Sequence, residues 1–362
     1  MIICHQHSTR NFCLGRGSSW PSSNRATKNS NNNPVHENMF CTYLEHTFID
    51  TSVLADLHER AEHLELPEQA SSGMTLATCH RIEVFSQLPI KPNLLRDVFG
   101  YEGKHVIGDA PVFKRMLEIG TGLRSQLLGE KFILEQFRQS VQKLPVSNGI
   151  RETAEFAAAT AKSIRDKYGF YAQFDYEELV FDYFAASASR SMDAQSRTLI
   201  IVGSGMLARA IARRAPQYGF RNTLIVSRVA KQLRKQGLDL PLVGLYKAAN
   251  IPSQYLETPY VTFIATTDMT GSYRDAIIAL LQSQQFCGIV DMSSIPLDLP
   301  KSAGLQPLTM YDPRYIDAVG RANEALRPLA PKVAREVDAH TMAYLGRCKP
   351  SSLQRAHSHI SH

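Results

Sequence analysis

The segment from Thr198 to Ala208 limits most strongly what this chain can fold into. The apolar run Thr198–Val202 is followed at once by two glycines, Gly203 and Gly205, and then by a helical pattern over 206–218. Such a run is typical of a buried strand, and the glycines allow a tight turn into a helix. This unit, together with the strands and helix that follow it, predicts an α/β chain with a doubly wound parallel sheet beginning near residue 197. The later strands are expected at 223–226, 260–265 and 288–292, and the later helix at 274–284.

The order G-x-G-x-x-A, after a strand and at the start of a helix, is the context of a dinucleotide-binding turn. Gly203 permits the tight turn, Gly205 lets the backbone approach a pyrophosphate, and Ala208 allows close helix packing. Amide groups at the helix N-terminus would face the phosphates. The alternative is a tight turn that binds nothing. The predicted cofactor-binding residues of this Rossmann-type turn are Gly203, Ser204, Gly205, Met206, Leu207 and Ala208.

The end of the second strand of this sheet indicates which dinucleotide fits. It carries Ser227 and Arg228, with Lys231 close behind, and neither Asp nor Glu. A ribose 2′-hydroxyl normally meets a carboxylate at this point, whereas a hydroxyl and two cations suit a 2′-phosphate. The sequence therefore favours NADPH over NADH as the cofactor.

A second motif, Thr78-Cys79-His80-Arg81-Ile82-Glu83, places a thiol beside two basic side chains. Positive charge lowers the pKa of a thiol and favours the nucleophilic thiolate. Taken alone, Cys79 could equally be a small buried apolar residue at a strand end. Together with a dinucleotide site, a reactive thiol predicts reduction of an acyl group through a thioester, which hydride converts into an aldehyde.

The chain before the parallel sheet predicts an α+β domain over residues 39–186. A strand at 40–44, a helix at 52–64 and a strand at 74–78 precede helical spacing over 111–143 and a helix at 150–168. The parallel sheet is assigned to 187–308, and a shortened C-terminal helical segment, expected as one helix over 313–345, to 309–348. The expected fold is an N-terminal α+β catalytic domain, a Rossmann-type NADPH-binding domain and a C-terminal helix.

The two ends of the chain lack a hydrophobic pattern. Residues 1–38 hold one acidic residue among many Ser, Asn, Arg and His, and residues 349–362 are polar, so both are expected to be disordered. Residues 1–38 are read in two ways. They are either an organelle transit segment or the result of a start codon placed upstream of Met39, which would leave a cytoplasmic protein.

Composition excludes several classes of protein. Hydrophobic residues make up 44% of the 362 residues and charged residues 20%. No apolar run approaches the roughly 20 residues of a bilayer span, so no membrane association is expected. Six cysteines without a C-x-x-C pair predict neither a zinc site nor a disulfide framework, and no metal is expected. The net charge of +6 permits an anionic partner such as nucleic acid without requiring one.

The motifs, in this order, resemble the glutamyl-tRNA reductase family over about residues 39–345. That family uses NADPH to reduce glutamyl-tRNA(Glu) to glutamate-1-semialdehyde, the first step of the five-carbon route to 5-aminolevulinate and tetrapyrroles. Its T-C-N-R-x-E motif is similar to residues 78–83. Its G-L-D-S-x-x-L-G-E-x-Q-I-L segment is similar to 122–134 with Gln136 following, A-K-x-(I/V)-R to 161–165, N-R-T to 227–229, and I-D-x-A-V-P-R-D to 290–298.

The resemblance implies roles for the matching positions. Cys79 would attack the ester between glutamate and the tRNA, and Arg81 would hold the glutamate carboxylates. A solvated charge pair is the alternative for Arg81 and Glu130. Glutamyl-tRNA(Glu), glutamate-1-semialdehyde aminomutase and a second copy of the chain in a homodimer are the implied partners. The implied pocket residues are Thr78, His80, Arg81, Ser125, Glu130, Lys131, Phe132 and Gln136.

Four positions depart from the family pattern. Arg115 replaces a histidine, and as a candidate catalytic residue it can stabilise negative charge but cannot exchange protons. His80 replaces the motif asparagine and either takes over proton transfer or points to the other strand face. Arg124 replaces Asp and Phe132 replaces Gln, which changes two polar pocket contacts. These departures leave two alternatives open: a paralogue acting on another acyl group, and a non-catalytic relative binding NADPH or tRNA in a regulatory role.

Overall fold

The structure is a computed structural model that describes residues 39–62, 73–188, 197–235, 241–244, 251–266, 271–293, 297 and 307–348. The expected disordered segments 1–38 and 349–362 lie outside these residues, as do parts of the expected 290–298 motif.

The first sheet is antiparallel and contains four strands in the order β2-β3-β1-β4. The strands are β1 (Phe40–Glu45), β2 (Met74–Thr78), β3 (Arg81–Ser86) and β4 (Lys104–Ile107). Every residue of β3 is buried, because helices cover both faces of the sheet. On one face lie α1 (Thr51–Glu62) and α2 (Leu94–Phe99). The expected strands at 40–44 and 74–78 and the helix between them are confirmed.

Three helices pack on the other face of the first sheet: α3 (Asp109–Thr121), α4 (Lys131–Gln142) and α5 (Gly149–Tyr168). Gly122 ends α3 in the left-handed region, with φ +80°, a conformation that glycine adopts without a steric penalty. The chain between α3 and α4 then forms a compact loop over 122–130, which we call the glycine loop. It leads directly to the site described below.

The second sheet is parallel and contains six strands in the order β10-β9-β8-β5-β6-β7. The order reverses between β5 and β8, and ligands of open α/β sheets bind beside such a reversal, at the carboxyl ends of the strands. The expected doubly wound sheet is confirmed. Its strands are β5 (Thr198–Val202), β6 (Asn222–Val226), β7 (Leu242–Val243), β8 (Tyr260–Ile264), β9 (Phe286–Asp291) and β10 (Leu308–Thr309).

Helices lie on both faces of this sheet. One face carries α6 (Tyr176–Ala188) and α7 (Met206–Arg214), and the other carries α9 (Gly271–Leu281). A short helix, α8 (Ala230–Lys235), follows β6. The expected helix over 206–218 is divided into α7 and a 3₁₀ turn at Ala215–Tyr218, in which Pro216 has no amide hydrogen to donate.

The C-terminal segment is two helices, α10 (Pro313–Leu326) and α11 (Ala330–Cys348), so the expected single helix over 313–345 is wrong. Pro328 lies at the break, where its ring cannot continue an α-helix. Leu326, Val333 and Val337 join the hydrophobic core of α3 and α5. The C-terminal helices thus pack back onto the N-terminal part of the same chain. Among the described residues, no helix is both long and apolar enough to cross a bilayer.

Candidate functional site

Cys79 and His80 form the two-residue turn that joins β2 to β3. Thr78 pairs with Arg81 across the two strands, so both turn residues project from the end of the ladder. Both side chains are half-buried, and the Cys79 Sγ atom lies 3.7 Å from the His80 Nδ1 atom. The amide of His80 donates to the Thr78 hydroxyl at 3.2 Å, which fixes the turn from within.

Arg81 begins β3 and is 1% exposed. Its Nη2 atom donates to the carbonyl of Arg124, and Nη1 lies 3.8 Å from a carboxylate oxygen of Glu83. Its Nε and Nη1 atoms have no hydrogen-bond partner among the described residues. Burial lowers the pKa of Arg81 against the attraction of the neighbouring carboxylates. A buried guanidinium with unsatisfied donors beside a cavity has hydrogen-bonding capacity that a carboxylate could use.

The glycine loop brings Ser125 and Glu130 to the same place. Arg165 of α5 holds its end, because Nη2 donates to the carbonyl of Gly129 at 2.7 Å and to that of Glu130 at 3.0 Å. Asn323 of α10 holds its middle: it donates to the Gln126 carbonyl at 2.9 Å and accepts from the Leu128 amide at 2.8 Å. Burial raises the pKa of Glu130, while the nearby cations oppose that rise.

The carboxyl ends of the parallel strands form the other side of the site. Gly203 has φ +111°, and a Cβ atom there would lie 2.2 Å from the Ala265 carbonyl oxygen, so only glycine fits. A Cβ atom at Gly205, the N-cap of α7, would meet nothing within 4 Å, so open space lies over the helix N-terminus. The hydroxyls of Ser204 and Ser227 are 2.8 Å apart and tie the turns after β5 and β6 together. These features fit a dinucleotide pyrophosphate.

One cavity of about 500 Å³ joins the hairpin turn, the glycine loop and the strand ends. Predicted residues from both motifs face each other across it. All the predicted site residues line the cavity except Arg115, Lys131 and Lys231. Those that line it are Thr78, Cys79, His80, Arg81, Ser125, Glu130, Phe132, Gln136, Gly203, Ser204, Gly205, Met206, Leu207, Ala208, Ser227 and Arg228.

Arg115, a predicted catalytic residue, does not line the cavity and lies in a buried ion-pair network. Its Nε and Nη2 atoms donate to the two carboxylate oxygens of Glu83 at 2.7 and 2.8 Å, and Nη2 lies 3.1 Å from Glu45. Its guanidinium also lies over the ring of Tyr43. Burial lowers the pKa of Arg115, but the carboxylates outweigh this effect and the net shift is upward. Its charge is therefore already neutralised away from the cavity.

Three other basic side chains also lie away from the cavity. Lys131 donates to both carboxylate oxygens of Glu177, at 2.9 and 2.8 Å. Lys231 is exposed on α8. Arg124, expected to place a reversed charge in the pocket, instead pairs with Glu118 at 2.6 Å. Lys131 and Arg124 thus pair with carboxylates outside the cavity, and the local sequence does not show which way a long side chain turns.

Sequence reasoning missed two tyrosines, Tyr176 of α6 and Tyr315 of α10, which form an aromatic wall of the cavity with the predicted Phe132. The ring centroids of Tyr176 and Tyr315 are 6.4 Å apart, and those of Phe132 and Tyr176 are 6.0 Å apart. Burial raises the pKa of Tyr315 to about 12, against the opposing effect of Tyr176. Both tyrosines lie near the Cys79 thiol. They are distant from either motif in sequence, and no local pattern marked them.

Other cavity-lining residues were also missed. His58 of α1 lines the cavity but belongs to no sequence motif. Thr266 and Ser293 follow β8 and β9, and could have been found by asking which side chains follow each parallel strand.

Comparison with known proteins finds similarity to glutamyl-tRNA reductases, among other proteins. Residues 35–168 match the family model "Glutamyl-tRNAGlu reductase, N-terminal domain". "Protein nfe2" of Rhizobium meliloti is 28% identical over 269 residues, which is 74% of this chain and 86% of that protein. The glutamyl-tRNA reductase of Alkalilimnicola ehrlichii is 22% identical over 310 residues, 76% of this chain and 66% of that protein.

The reductases are matched over part of their own length. For the glutamyl-tRNA reductase of Legionella pneumophila strain Corby, the match is 25% identical and covers 43% of that protein. Among solved structures, glutamyl-tRNA reductase from Methanopyrus kandleri matches with a TM-score of 0.42 and 16% identity, over 86% of this chain and 81% of that one. Residues 35–168 thus match the N-terminal domain model of glutamyl-tRNA reductases, and the chain is distantly similar in sequence to those enzymes.

Proposed function

We propose that this chain is an NADPH-dependent reductase that converts glutamyl-tRNA(Glu) into glutamate-1-semialdehyde through a thioester on Cys79. The observation that carries the proposal is the shared cavity, in which a half-buried thiol and a buried guanidinium face a dinucleotide-type turn. The semialdehyde would then pass to an aminomutase for 5-aminolevulinate synthesis.

The first step is acyl transfer. The Cys79 Sγ atom attacks the ester carbonyl carbon, the bond from that carbon to the ribose oxygen breaks, and the ribose hydroxyl leaves with the proton of the thiol. Arg81 would support this step because it lines the cavity and its Nε and Nη1 atoms lack hydrogen-bond partners among the described residues, so its guanidinium has donors to offer the carboxylate of the glutamyl side chain. Glu130, on the glycine loop, also lines the cavity and would face the ammonium group.

The second step needs a hydride, which NADPH would supply when bound. The chain's own contribution is binding: Gly205 leaves the N-terminus of α7 open to the pyrophosphate. Ser227 and Arg228, after β6, line the cavity where a 2′-phosphate would be recognised. Reduction of the thioester would release the aldehyde and return Cys79 as a thiol.

A second candidate, reduction of a different acyl group, is favoured by Phe132. Where the family pattern has a polar glutamine, this chain has an aromatic ring in contact with Tyr176. An aromatic wall contributes apolar contact in place of a hydrogen bond, so it would favour an acyl group with a less polar side chain.

The experiment that tests the proposal is a single-turnover reaction of the full chain with glutamyl-tRNA(Glu) and NADPH, following aldehyde formation and nicotinamide absorbance. We expect the Cys79→Ser variant to form no aldehyde and to keep its NADPH affinity within about threefold, because the side chain it replaces is not part of the dinucleotide turn. Aldehyde from Cys79→Ser would contradict the thioester route. A wild-type chain that forms no adduct with glutamyl-tRNA but reacts with other aminoacyl esters would favour the second candidate.

A further inference from the structure

The turn between β2 and β3 holds a thiol and an imidazole in contact. The Sγ and Nδ1 atoms of Cys79 and His80 are 3.7 Å apart, which is within hydrogen-bond range for sulfur. The backbone of His80 is held on both sides. Its amide donates to Thr78, and its carbonyl accepts from the amide of His46 at 3.0 Å. The contact is therefore built into the hairpin.

The groups around the imidazole favour its neutral form before reaction. Burial lowers the pKa of His80, Glu130 of the glycine loop raises it, and Arg81 lowers it further, with a net downward shift. The ring of His46, which follows β1, lies edge-on at a centroid distance of 5.7 Å. A neutral imidazole has a lone pair to accept a proton, and Glu130 is placed to stabilise the imidazolium that results.

The position that carries a histidine in the family pattern cannot do this work. Arg115 occupies it and donates to the carboxylates of Glu83 and Glu45. The imidazole beside the thiol in this chain is that of His80, on the hairpin.

We propose that His80 is a further catalytic residue of this chain, which takes the proton of the Cys79 thiol on Nδ1 and gives it to the leaving oxygen. The S–H bond breaks as an N–H bond forms, the S–C bond forms as the C–O bond to ribose breaks, and the N–H proton goes to the ribose oxygen. No other reactant is needed. The second half of this transfer rests on the proposed function, whereas the first half concerns the free protein.

The first half is tested without tRNA or NADPH, by the rate of Cys79 alkylation with iodoacetamide as a function of pH. Mass spectrometry of the Cys79 peptide gives the rate, and the half-buried thiol of Cys287 in the same samples serves as an internal reference. His80→Asn restores the family residue. We expect it to slow alkylation of Cys79 at least about tenfold at neutral pH, with wild-type rates recovered above about pH 9, where a thiol ionises unaided.

Two further variants keep the result interpretable. His105→Asn makes the same change at an exposed position of β4 and should leave the rate unchanged. His80→Gly should be slow and should recover when imidazole is added, which a folding defect would not do. Superimposable pH profiles for wild type and His80→Asn would overturn the proposal. His58 also lines the cavity, so a slower alkylation of Cys79 in His58→Asn, with none in His80→Asn, would overturn it too. If His80→Asn behaves as expected while the wild type does not turn over glutamyl-tRNA, the proposed substrate is wrong and the acid-base pair stands.

Discussion

Single residues decide whether charge in this chain serves the site or the fold. Arg81 and Arg115 are both buried arginines close to Glu83, yet they differ in what their donors meet. Arg81 lines the cavity and has two nitrogen atoms without a hydrogen-bond partner among the described residues, whereas Arg115 is held by carboxylates. The first arrangement leaves hydrogen-bonding capacity beside the cavity, and the second ties α3 to the sheet.

We expect Arg115→Met to lower the free energy of unfolding by about 3–5 kcal/mol, because it leaves buried carboxylates without their cation. Urea unfolding measures this. Arg96→Met, which breaks the exposed pair with Glu102, should cost less than about 1 kcal/mol. A loss for Arg115→Met as small as that for Arg96→Met would show that the buried network contributes little.

The stability that this ion-pair network contributes is also expected to depend on pH. Burial raises the pKa of Glu45, but Arg115 and Arg124 outweigh it, so the net shift is downward. A lowered carboxyl pKa contributes stability above its unfolded value of about 4.3, and this is lost as the pH falls through the folded value. The wild type should therefore lose part of its advantage over Arg115→Met below about pH 4.

At the scale of elements, the turn after each parallel strand has a distinct part in the site. In the turn after β5, Gly203 approaches the chain after β8 closely because it has no side chain. The turn after β6 contributes the side chains of Ser227 and Arg228 to the cavity. The short helix α8 then carries Lys231 away from the cavity. Recognition of a 2′-phosphate is therefore expected from the turn itself, and not from the helix that follows it.

Arg228→Ala should weaken NADPH binding about tenfold or more while changing NADH affinity less than about threefold, because one charge-assisted contact is worth about 1.5–3 kcal/mol. Fluorescence titration with each nucleotide measures both constants. Lys231→Ala removes the same charge from outside the cavity and should have the smaller effect. Equal losses for NADPH and NADH in Arg228→Ala would show that this side chain does not read the 2′-phosphate.

At the scale of the whole molecule, local patterns predicted what lies within one turn of the chain and missed what long-range packing decides. The strand followed by G-x-G-x-x-A and the strand followed by Cys79 could be predicted from the sequence, because the conformation of each depends on residues that are close in sequence. Asn323 and Tyr315 reach the site only because α10 returns to it. The position of Arg115 away from the cavity could not be predicted from the sequence, because its partners, Glu45 and Glu83, lie on other elements.

Asn323 gives this long-range packing a direct test. Asn323→Ala removes two hydrogen bonds to the glycine loop, so we expect faster amide hydrogen exchange over residues 125–130 and a stability loss of about 1–3 kcal/mol. Arg321→Ala, exposed on the same helix, is the matched control and should leave exchange in the loop unchanged. Unchanged exchange in Asn323→Ala would show that the loop holds its shape without α10.

The packing of α10 against the site also limits where this chain can be truncated or fused to another protein. A fragment ending before Pro313 would keep both motifs that mark the site, yet it would lack the Tyr315 wall and the Asn323 anchor. A chimera that joins these motifs to a foreign C-terminus would have the same defect. Junctions for fragments or chimeras therefore belong beyond Leu326, and a search by motifs alone would accept pieces whose pocket is open on one side.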